Sequence, residues 1–129
     1  RLLRYEISTD SIATGTLTAT LAWQAEQVID NSYSVFLHLL DDGGQIVAQR
    51  DVVPRNGQLP TTIWLPSEVV TDIYILQSEQ PLTAGTYTLI AGLYDSSGWQ
   101  RLPVVGAQAS SSGDFITLGT ITYLPDEKE

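Results

Sequence analysis

The sequence predicts an all-β domain: a sandwich of two antiparallel sheets with immunoglobulin-like or fibronectin-like topology. Apolar and polar residues alternate through most of the chain, in runs rich in Thr, Val, Ile, Tyr and Trp, which is typical of strands with one buried face. Turn signals recur about every 10 residues and divide the chain into about eight short strands. The segment Leu82–Leu89 has the form of a tyrosine corner, with Tyr87 near the start of a late strand. A jelly roll with the same number of strands is the alternative.

Composition narrows the class of protein further. The chain has 129 residues, 43% of them hydrophobic, which suits one domain over residues 1–124 followed by a charged tail at 125–129. It has no Cys, so disulfide scaffolds, thiol nucleophiles and cysteine metal sites are excluded. Fifteen acidic residues against six basic ones give a net charge of −9. Because nucleic-acid affinity needs clustered positive charge, nucleic acid is excluded as a partner.

Membrane and export signals are not found in the sequence. No apolar run approaches the roughly 18 residues of a membrane-spanning helix, and no signal peptide precedes the first strand-like residues. The chain begins at Arg1 without an initiator Met and ends in charged residues. We therefore interpret it as a fragment of a longer protein, and we expect no direct membrane insertion.

The first half of the chain contains the clearest strands. Thr16–Ala25 alternates apolar side chains with hydroxyls and is a strand with one wet face. Ser32–Leu40 forms the next strand. The Asp-initiated, Gly-rich turn Asp41–Gly44 then returns the chain as Gln45–Asp51, which completes a β-hairpin.

The hairpin turn also predicts a register. We expect Leu40 to pair with Gln45, and it follows that His38 lies opposite Val47. Apolar side chains then occur on both faces of the hairpin.

The middle of the chain is less regular. Pro54 and Pro60 interrupt it, and Ile63–Leu65 is predicted as a short extended piece. Glu68–Gln77 fits either a helix capped by Ser67 or a strand. Its many β-branched residues favour the strand.

The last third of the chain predicts a second hairpin. Thr86–Tyr94 is a strand, the turn Asp95–Gly98 follows it, and Trp99–Val105 returns as its antiparallel neighbour. A loop of small residues over Gly106–Gly113 precedes a final strand at Phe115–Leu124.

Candidate catalytic groups are few. His38 is the one histidine, and it lies in the middle of a predicted strand, where a base cannot readily meet a nucleophile at an exposed site. Asp41 and Asp42 are an adjacent carboxylate pair, but consecutive turn side chains usually diverge. We therefore expect no enzymatic activity and no catalytic residue.

Calcium is the cation that the turn sequences suit best. Asp41, Asp42 and Asp95 stand in oxygen-rich turns that end in Gly. The same residues are common hairpin material, so the turns are explained with or without a structural calcium ion. Other cofactors are not expected.

The tryptophans give the best sequence argument for binding. Trp23 lies on an alternating apolar face and is expected in the core. Trp64 and Trp99 lie in loop-like contexts, where each either plugs an end of the sandwich or offers a ring for stacking on a sugar.

A second binding candidate is one outer sheet face. If two of the predicted strands are neighbours, this face carries Phe36, His38, Ile90 and Tyr94 where a wet face would carry Thr. Such a patch is covered either by the chain's own loops or by a partner or ligand.

A series of short motifs also resembles a known family. The motifs, in order, are Leu21–Ala25, Tyr33–Leu39, Ala48–Asp51, Pro60–Trp64, Glu68–Asp72, Ala84–Tyr87, Gly92–Asp95 and Arg101–Val104. From about Leu17 to Leu124, the chain resembles a bacterial β-sandwich domain. That domain is found at the C-terminal end of multi-spanning membrane proteins of the protein-mannosyltransferase type, in filamentous green non-sulfur bacteria.

The resemblance implies a location outside the cytoplasm, where the domain is tethered through a membrane segment beyond this fragment. It also points to polar and aromatic positions, Trp64, Asp72, Tyr94, Asp95 and Arg101, with no catalytic role. Asp72 and Arg101 are as readily interpreted as a partly buried ion pair.

These observations together predict a non-catalytic accessory or binding module whose most plausible ligand is carbohydrate. The predicted contacts are Trp64, Trp99, Tyr94, Asp95 and Arg101. The alternative is a purely structural or protein-interaction domain that has no small ligand. Such a domain would pack on the parent membrane protein or on a second copy of itself through the Phe36, His38, Ile90 and Tyr94 face.

Overall fold

The computed structural model describes residues 1–104 and 113–125. This part of the chain forms seven β-strands, which are β1 (Leu2–Ser8), β2 (Thr16–Gln24), β3 (Tyr33–Leu40), β4 (Ile46–Val52), β5 (Val69–Gln77), β6 (Gly85–Asp95) and β7 (Ile116–Tyr123). Short 3₁₀ turns occur at Ile12–Thr14 and Thr61–Ile63. The predicted loop over Gly106–Gly113 and the charged tail fall largely outside the described residues.

The seven strands form two antiparallel sheets. One sheet has three strands in the order β1-β2-β5, and the other has four in the order β4-β3-β6-β7. Non-consecutive strands are neighbours in both sheets, as Greek-key sandwiches require. The predicted two-sheet, fibronectin-like sandwich is therefore confirmed, with seven strands in the described residues.

The core lies between the two sheets, and the strand alternation of the sequence produces it. β5 alternates exposed and buried residues along its whole length, which confirms the strand over the competing helix. Leu21, Leu37 and Leu89 from three different strands are fully buried in one apolar cluster. Trp23 joins that cluster as predicted, and its indole N–H donates to the Tyr74 hydroxyl at 3.2 Å.

The tyrosine corner is present. The Tyr87 hydroxyl donates to the Thr83 carbonyl oxygen at 2.6 Å and accepts from the Thr83 backbone N–H at 3.2 Å. This buried side chain ties the start of β6 to the loop before it.

The β3–β4 hairpin forms, but its predicted register is wrong. Leu40 pairs with Ile46, a bulge follows, and His38 pairs with Gln49 rather than with Val47. The turn closes one residue later than expected because the Asp41 carboxylate accepts the Gly43 and Gln45 backbone N–H groups, each at 2.9 Å. The bulge then adds one residue to β4.

Two further predictions need correction. The predicted return strand was Trp99–Val105, of which Val105 lies outside the described residues. Over Trp99–Val104 the described chain forms a single bridge with β6, between Tyr94 and Arg101. Pro103 cannot donate a ladder hydrogen bond, and β7 takes the place beside the earlier part of β6. The predicted extended piece Ile63–Leu65 instead begins inside the 3₁₀ turn.

The two ends of the sandwich differ in the length of their connections. Short turns, such as the one between β3 and β4, close one end. At the other end lie the β2–β3, β4–β5 and β6–β7 connections, which are the longest in the chain. Within the described residues, no helix is long and apolar enough to cross a membrane.

Candidate ligand-binding surface

Four aromatic side chains form a continuous row on the outer face of the four-stranded sheet. The Trp99 ring stacks on Tyr94 at 5.3 Å between centroids, and Tyr94 stacks on Phe36 at 6.2 Å. Phe36 in turn contacts the His38 ring at 5.0 Å. Strand register creates this row. Ser34 pairs with Tyr94 and His38 with Ile90 across β3 and β6, so Phe36, His38 and Tyr94 share one face of the sheet. We call Trp99, Tyr94, Phe36 and His38 the aromatic row.

The inner part of the row is covered by the chain itself. Phe36 is only 1% exposed, and Ile90 and His38 are also buried. The Arg101 guanidinium lies 4.3 Å from the centre of the Phe36 ring, a cation–π contact. Of the outer face that the sequence predicted as an interface, only Tyr94 is not buried, so this face is not an open apolar patch.

A glycine lets the Phe36 ring lie against the sheet. A Cβ atom built on Gly92 would come within 2.5 Å of two Phe36 ring carbons, a distance that side chains cannot tolerate. Gly92 pairs directly with Phe36 in the β3–β6 ladder. A bare backbone at this position is therefore a condition for the aromatic row.

One carboxylate connects two members of the row. Asp51, on β4, accepts from the Tyr94 hydroxyl at 3.2 Å, and its other oxygen lies 3.4 Å from His38 Nε2. Burial lowers the pKa of His38 below its usual range, more than the nearby Asp51 charge raises it. Burial and the Asp51 charge both raise the pKa of Tyr94. Both groups are therefore neutral at pH 7.

The outer end of the row is held by a tight turn. Asp95 accepts from the Ser97 backbone N–H at 2.9 Å and from its hydroxyl at 2.7 Å, and these bonds lower the pKa of Asp95. The backbone N–H of Trp99 donates to the Asp95 carbonyl at 2.9 Å. Trp99 adopts a φ of 65°, which is unusual for a bulky residue. The turn thereby fixes the direction in which the indole projects.

The ring of Trp99 is the exposed part of the row. This residue is 73% exposed although one face of its ring lies on Tyr94. The other ring face is therefore open to solvent. A cavity of about 870 Å³ at the same end of the sandwich is lined by Trp23, Leu93 and Leu102, but not by Tyr94 or Trp99. The Trp99 ring, with Tyr94 behind it, is thus an open surface rather than a pocket. We call this exposed end of the aromatic row the aromatic platform.

Two other predicted site residues, Trp64 and Asp95, contribute to the fold rather than to the platform surface. Trp64 is 4% exposed, and its indole N–H donates to the Leu59 carbonyl at 2.9 Å. It plugs an end of the sandwich, so its ring faces are not available for stacking on a ligand. Asp95 builds the turn beneath Trp99, and its remaining oxygen is 3.5 Å from the Asn31 amide.

Asp72 and Arg101 do not form the predicted pair. Asp72 accepts from the Arg55 backbone N–H at 2.7 Å and lies 3.9 Å from the Arg55 side chain. Arg101 instead lies 3.4 Å from Asp114. The reason is that the two residues belong to different sheets. Asp72 lies on β5 of the three-stranded sheet, whereas Arg101 lies in the connection between β6 and β7 of the four-stranded sheet.

Two of the three candidate calcium residues, Asp41 and Asp95, have turn roles. Asp41 and Asp95 each accept backbone N–H groups of their own turns, as Asx turns do. Asp42 lies beside the loop that precedes Tyr87. In the part of the chain that the structure describes, no group of three or more His, Asp or Glu side chains could hold a metal ion.

Sequence reasoning missed three residues that build the platform. Asp51 was not singled out because the predicted register did not place it opposite Phe36. Gly92 carries a signal, since a glycine inside a strand marks a close approach of another group. Asp114 gave no signal, because its contact with Arg101 spans a loop.

Fold and surface together define a two-sheet β-sandwich module with an aromatic platform at its long-loop end. No protein-family model and no curated protein sequence matches the chain. A solved β-glucuronidase from glycoside hydrolase family 2 is similar in structure, with a TM-score of 0.53 and 12% sequence identity over 71% of this chain. The match spans about a tenth of that enzyme, 10% of its length, and it supports the fold alone.

Proposed function

We propose that this domain is a non-catalytic binding module that holds carbohydrate against the open ring face of Trp99. It serves a larger membrane protein outside the cytoplasm, in keeping with the family that its motifs resemble. A β-sandwich of similar fold within a glycoside hydrolase is compatible with such an accessory role.

The open face of Trp99 is the single observation that carries the proposal. An indole that is 73% exposed leaves a large apolar surface in water, which costs free energy in the unbound protein. Stacking a sugar ring on that face removes both apolar surfaces from water. The fixed turn and the Tyr94 ring behind it mean that little entropy is lost on binding.

The surroundings of the platform also suit a sugar. Saccharides need hydrogen-bonding groups beside the apolar contact. The exposed Ser96 hydroxyl lies 2.9 Å from the hydroxyl of buried Ser34, which pairs with Tyr94 across the sheet, and the Tyr94 hydroxyl contacts Asp51. An open platform accommodates one face of an extended chain, whereas a small molecule would need an enclosing pocket.

The test is a panel of soluble oligosaccharides and insoluble polysaccharides, screened by affinity gel electrophoresis and calorimetry. We expect weak but saturable binding to at least one glycan, and we expect Trp99→Ala to lower its affinity about tenfold or more. Tyr94→Ala should weaken binding less, because its ring supports Trp99 from behind.

Ile73→Ala is the matched control. It removes an exposed apolar side chain from the opposite sheet and should leave glycan binding unchanged. Absence of binding to every glycan at millimolar concentration would overturn the proposal, as would full binding by a folded Trp99→Ala variant.

A protein-interaction domain remains the second candidate, and one observation favours it. Val69, Ile73 and Ile75 are exposed along β5, on the outer face of the three-stranded sheet. Exposed apolar stripes on an edge strand are common contact sites. Sedimentation of the wild type and of Ile73→Thr with Ile75→Thr tests this candidate. A concentration-dependent dimer that the substitutions abolish would support it.

A further inference from the structure

Charged side chains lie around the aromatic platform. We propose that the platform takes an amino-bearing, positively charged saccharide in preference to a neutral one and excludes acidic saccharides. This inference rests on the proposed function, because it assumes that Trp99 receives a sugar ring.

Two carboxylates lie near the aromatic row, Asp95 in the turn that carries Trp99 and Asp51 beside the Tyr94 hydroxyl. Asp95 begins the turn that holds Trp99, and its carbonyl oxygen is 2.9 Å from the Trp99 backbone nitrogen. The Asp51 carboxylate accepts from the Tyr94 hydroxyl at 3.2 Å. The Ser97 hydrogen bonds that lower the pKa of Asp95 keep its side chain ionised even in mildly acidic solution.

The positive charge near the platform is already engaged. The Arg101 side chain lies over the Phe36 ring and contacts the Asp114 carboxylate at 3.4 Å. The other basic group on this face, His38, is buried and neutral at pH 7 because burial lowers its pKa. The described groups around the platform therefore sum to a net negative charge, as the whole chain does at −9.

An aromatic ring with carboxylates nearby is the chemistry that recognises an ammonium group. A cation above a Trp face is attracted by the ring quadrupole, and the carboxylates add a Coulomb attraction that salt screens. A uronic acid meets the same carboxylates with like charge. A neutral sugar gains the stacking alone.

The experiment compares tetrasaccharides of equal length on the wild-type domain. They are a glucosamine oligomer, an N-acetylglucosamine oligomer and a galacturonic acid oligomer, measured by calorimetry at about pH 6 so that the amine and the carboxylates are both charged. We expect the glucosamine oligomer to bind about tenfold tighter than the acetylated one, which matches the sum of an exposed cation–π contact and an exposed charge pair. The acidic oligomer should not bind.

Asp95→Asn is the decisive variant. The Asn side chain retains an oxygen that can accept the Ser97 hydrogen bonds, so the turn is kept while the charge is removed. The preference for the glucosamine oligomer over the acetylated one should fall to about threefold or less. Asp42→Asn removes the same charge at the opposite end of the sandwich and should leave the preference at about tenfold.

Each other outcome has a definite meaning. If the acetylated or acidic oligomer binds as tightly as the glucosamine oligomer, the charge inference is wrong while the carbohydrate proposal stands. If no oligosaccharide binds, the proposed function itself fails. If a lysine tetrapeptide binds as tightly as the glucosamine oligomer, the platform recognises cationic peptides and the assignment of a saccharide is overturned.

Discussion

The outer faces of the two sheets follow opposite rules. On the three-stranded sheet, Ile73 and Ile75 of β5 are 63% and 58% exposed, beside a row of threonines on β2. On the four-stranded sheet, Phe36 and Ile90 are almost fully buried although they also point away from the core. A side chain's face in the strand pattern thus does not determine whether solvent reaches it.

The difference comes from what crosses each face. Arg101 lies over Phe36, Tyr94 stacks beside it, and the long β6–β7 connection supplies both Arg101 and Trp99. The described residues supply no comparable cover for β5, whose edge is met instead by Arg55 donating to the Thr71 carbonyl at 2.9 Å. Four predictions use this contrast, and they run from the largest expected effect to the smallest.

The largest difference is expected between two alanine substitutions. Phe36→Ala should lower the free energy of unfolding by about 3–5 kcal/mol, because it empties a buried aromatic site. Ile73→Ala should change it by less than about 0.5 kcal/mol, because the side chain is already mostly in water. Urea denaturation measures both values. Equal losses for the two variants would contradict the contrast between the faces.

Gly92→Ala should destabilise the domain by about 1–3 kcal/mol, because the added methyl group meets the Phe36 ring and cannot be accommodated without displacing it. Gly119→Ala is the control within the same sheet. Its added Cβ would lie 3.7 Å from Ile7, an ordinary contact distance, so thermal unfolding should show little change. A Gly92→Ala protein as stable as the wild type would show that Phe36 does not depend on the bare backbone.

The buried histidine of the four-stranded sheet predicts a pH dependence of the domain's stability. The pKa of His38 is lowered in the folded chain, so the unfolded chain binds more protons as the pH falls below about 6.5. Stability should therefore decrease from about pH 6.5 downward until the folded pKa is passed, and His38 should contribute no slope above that range.

The carboxylates also titrate at low pH, so the measurement compares wild type with His38→Gln. The difference between their unfolding free energies should change with pH only below about 6.5. A difference that stays constant from about pH 7.5 to about pH 5 would show that His38 keeps an ordinary pKa in the folded chain.

The smallest effect is expected at the exposed end of the aromatic row. Trp99→Ala should alter stability by no more than about 0.5 kcal/mol, because the ring is mostly exposed and its loss leaves no cavity. Chemical denaturation of Trp99→Ala and Phe36→Ala compares their free energies of unfolding directly. A loss as large as that of Phe36→Ala would mean that the Trp99 ring stabilises the fold rather than serving as a binding surface.

Much of the fold could be predicted from local patterns. Alternation in Thr16–Ala25 and Glu68–Gln77 identified β2 and β5, and the spacing around Tyr87 identified the corner that opens β6. The hairpin register could not be predicted in the same way. It depends on how the Asp41 side chain closes the turn and on a bulge after it, which involve three-dimensional hydrogen bonding rather than sequence period.

The candidate site, like the fold, could be predicted from the sequence only in part. Trp64 and Trp99 have similar sequence contexts, yet the structure buries one and exposes the other. The distinction depends on packing between distant segments. Trp64 finds a carbonyl partner within its own loop and a place in the core, whereas the positive φ of Trp99 turns its ring outward onto Tyr94.

The sequence by itself determined the class of fold, because period-2 alternation and turn residues are local properties that fix which side chains must be buried together. It also determined the acidic character of the molecule. Only the tertiary structure decided that Phe36 and His38 are covered, that Asp51 bridges His38 and Tyr94, and that Trp99 is the member of the aromatic row with an open ring face. These features depend on register and on long loop crossings, which join residues far apart in the chain.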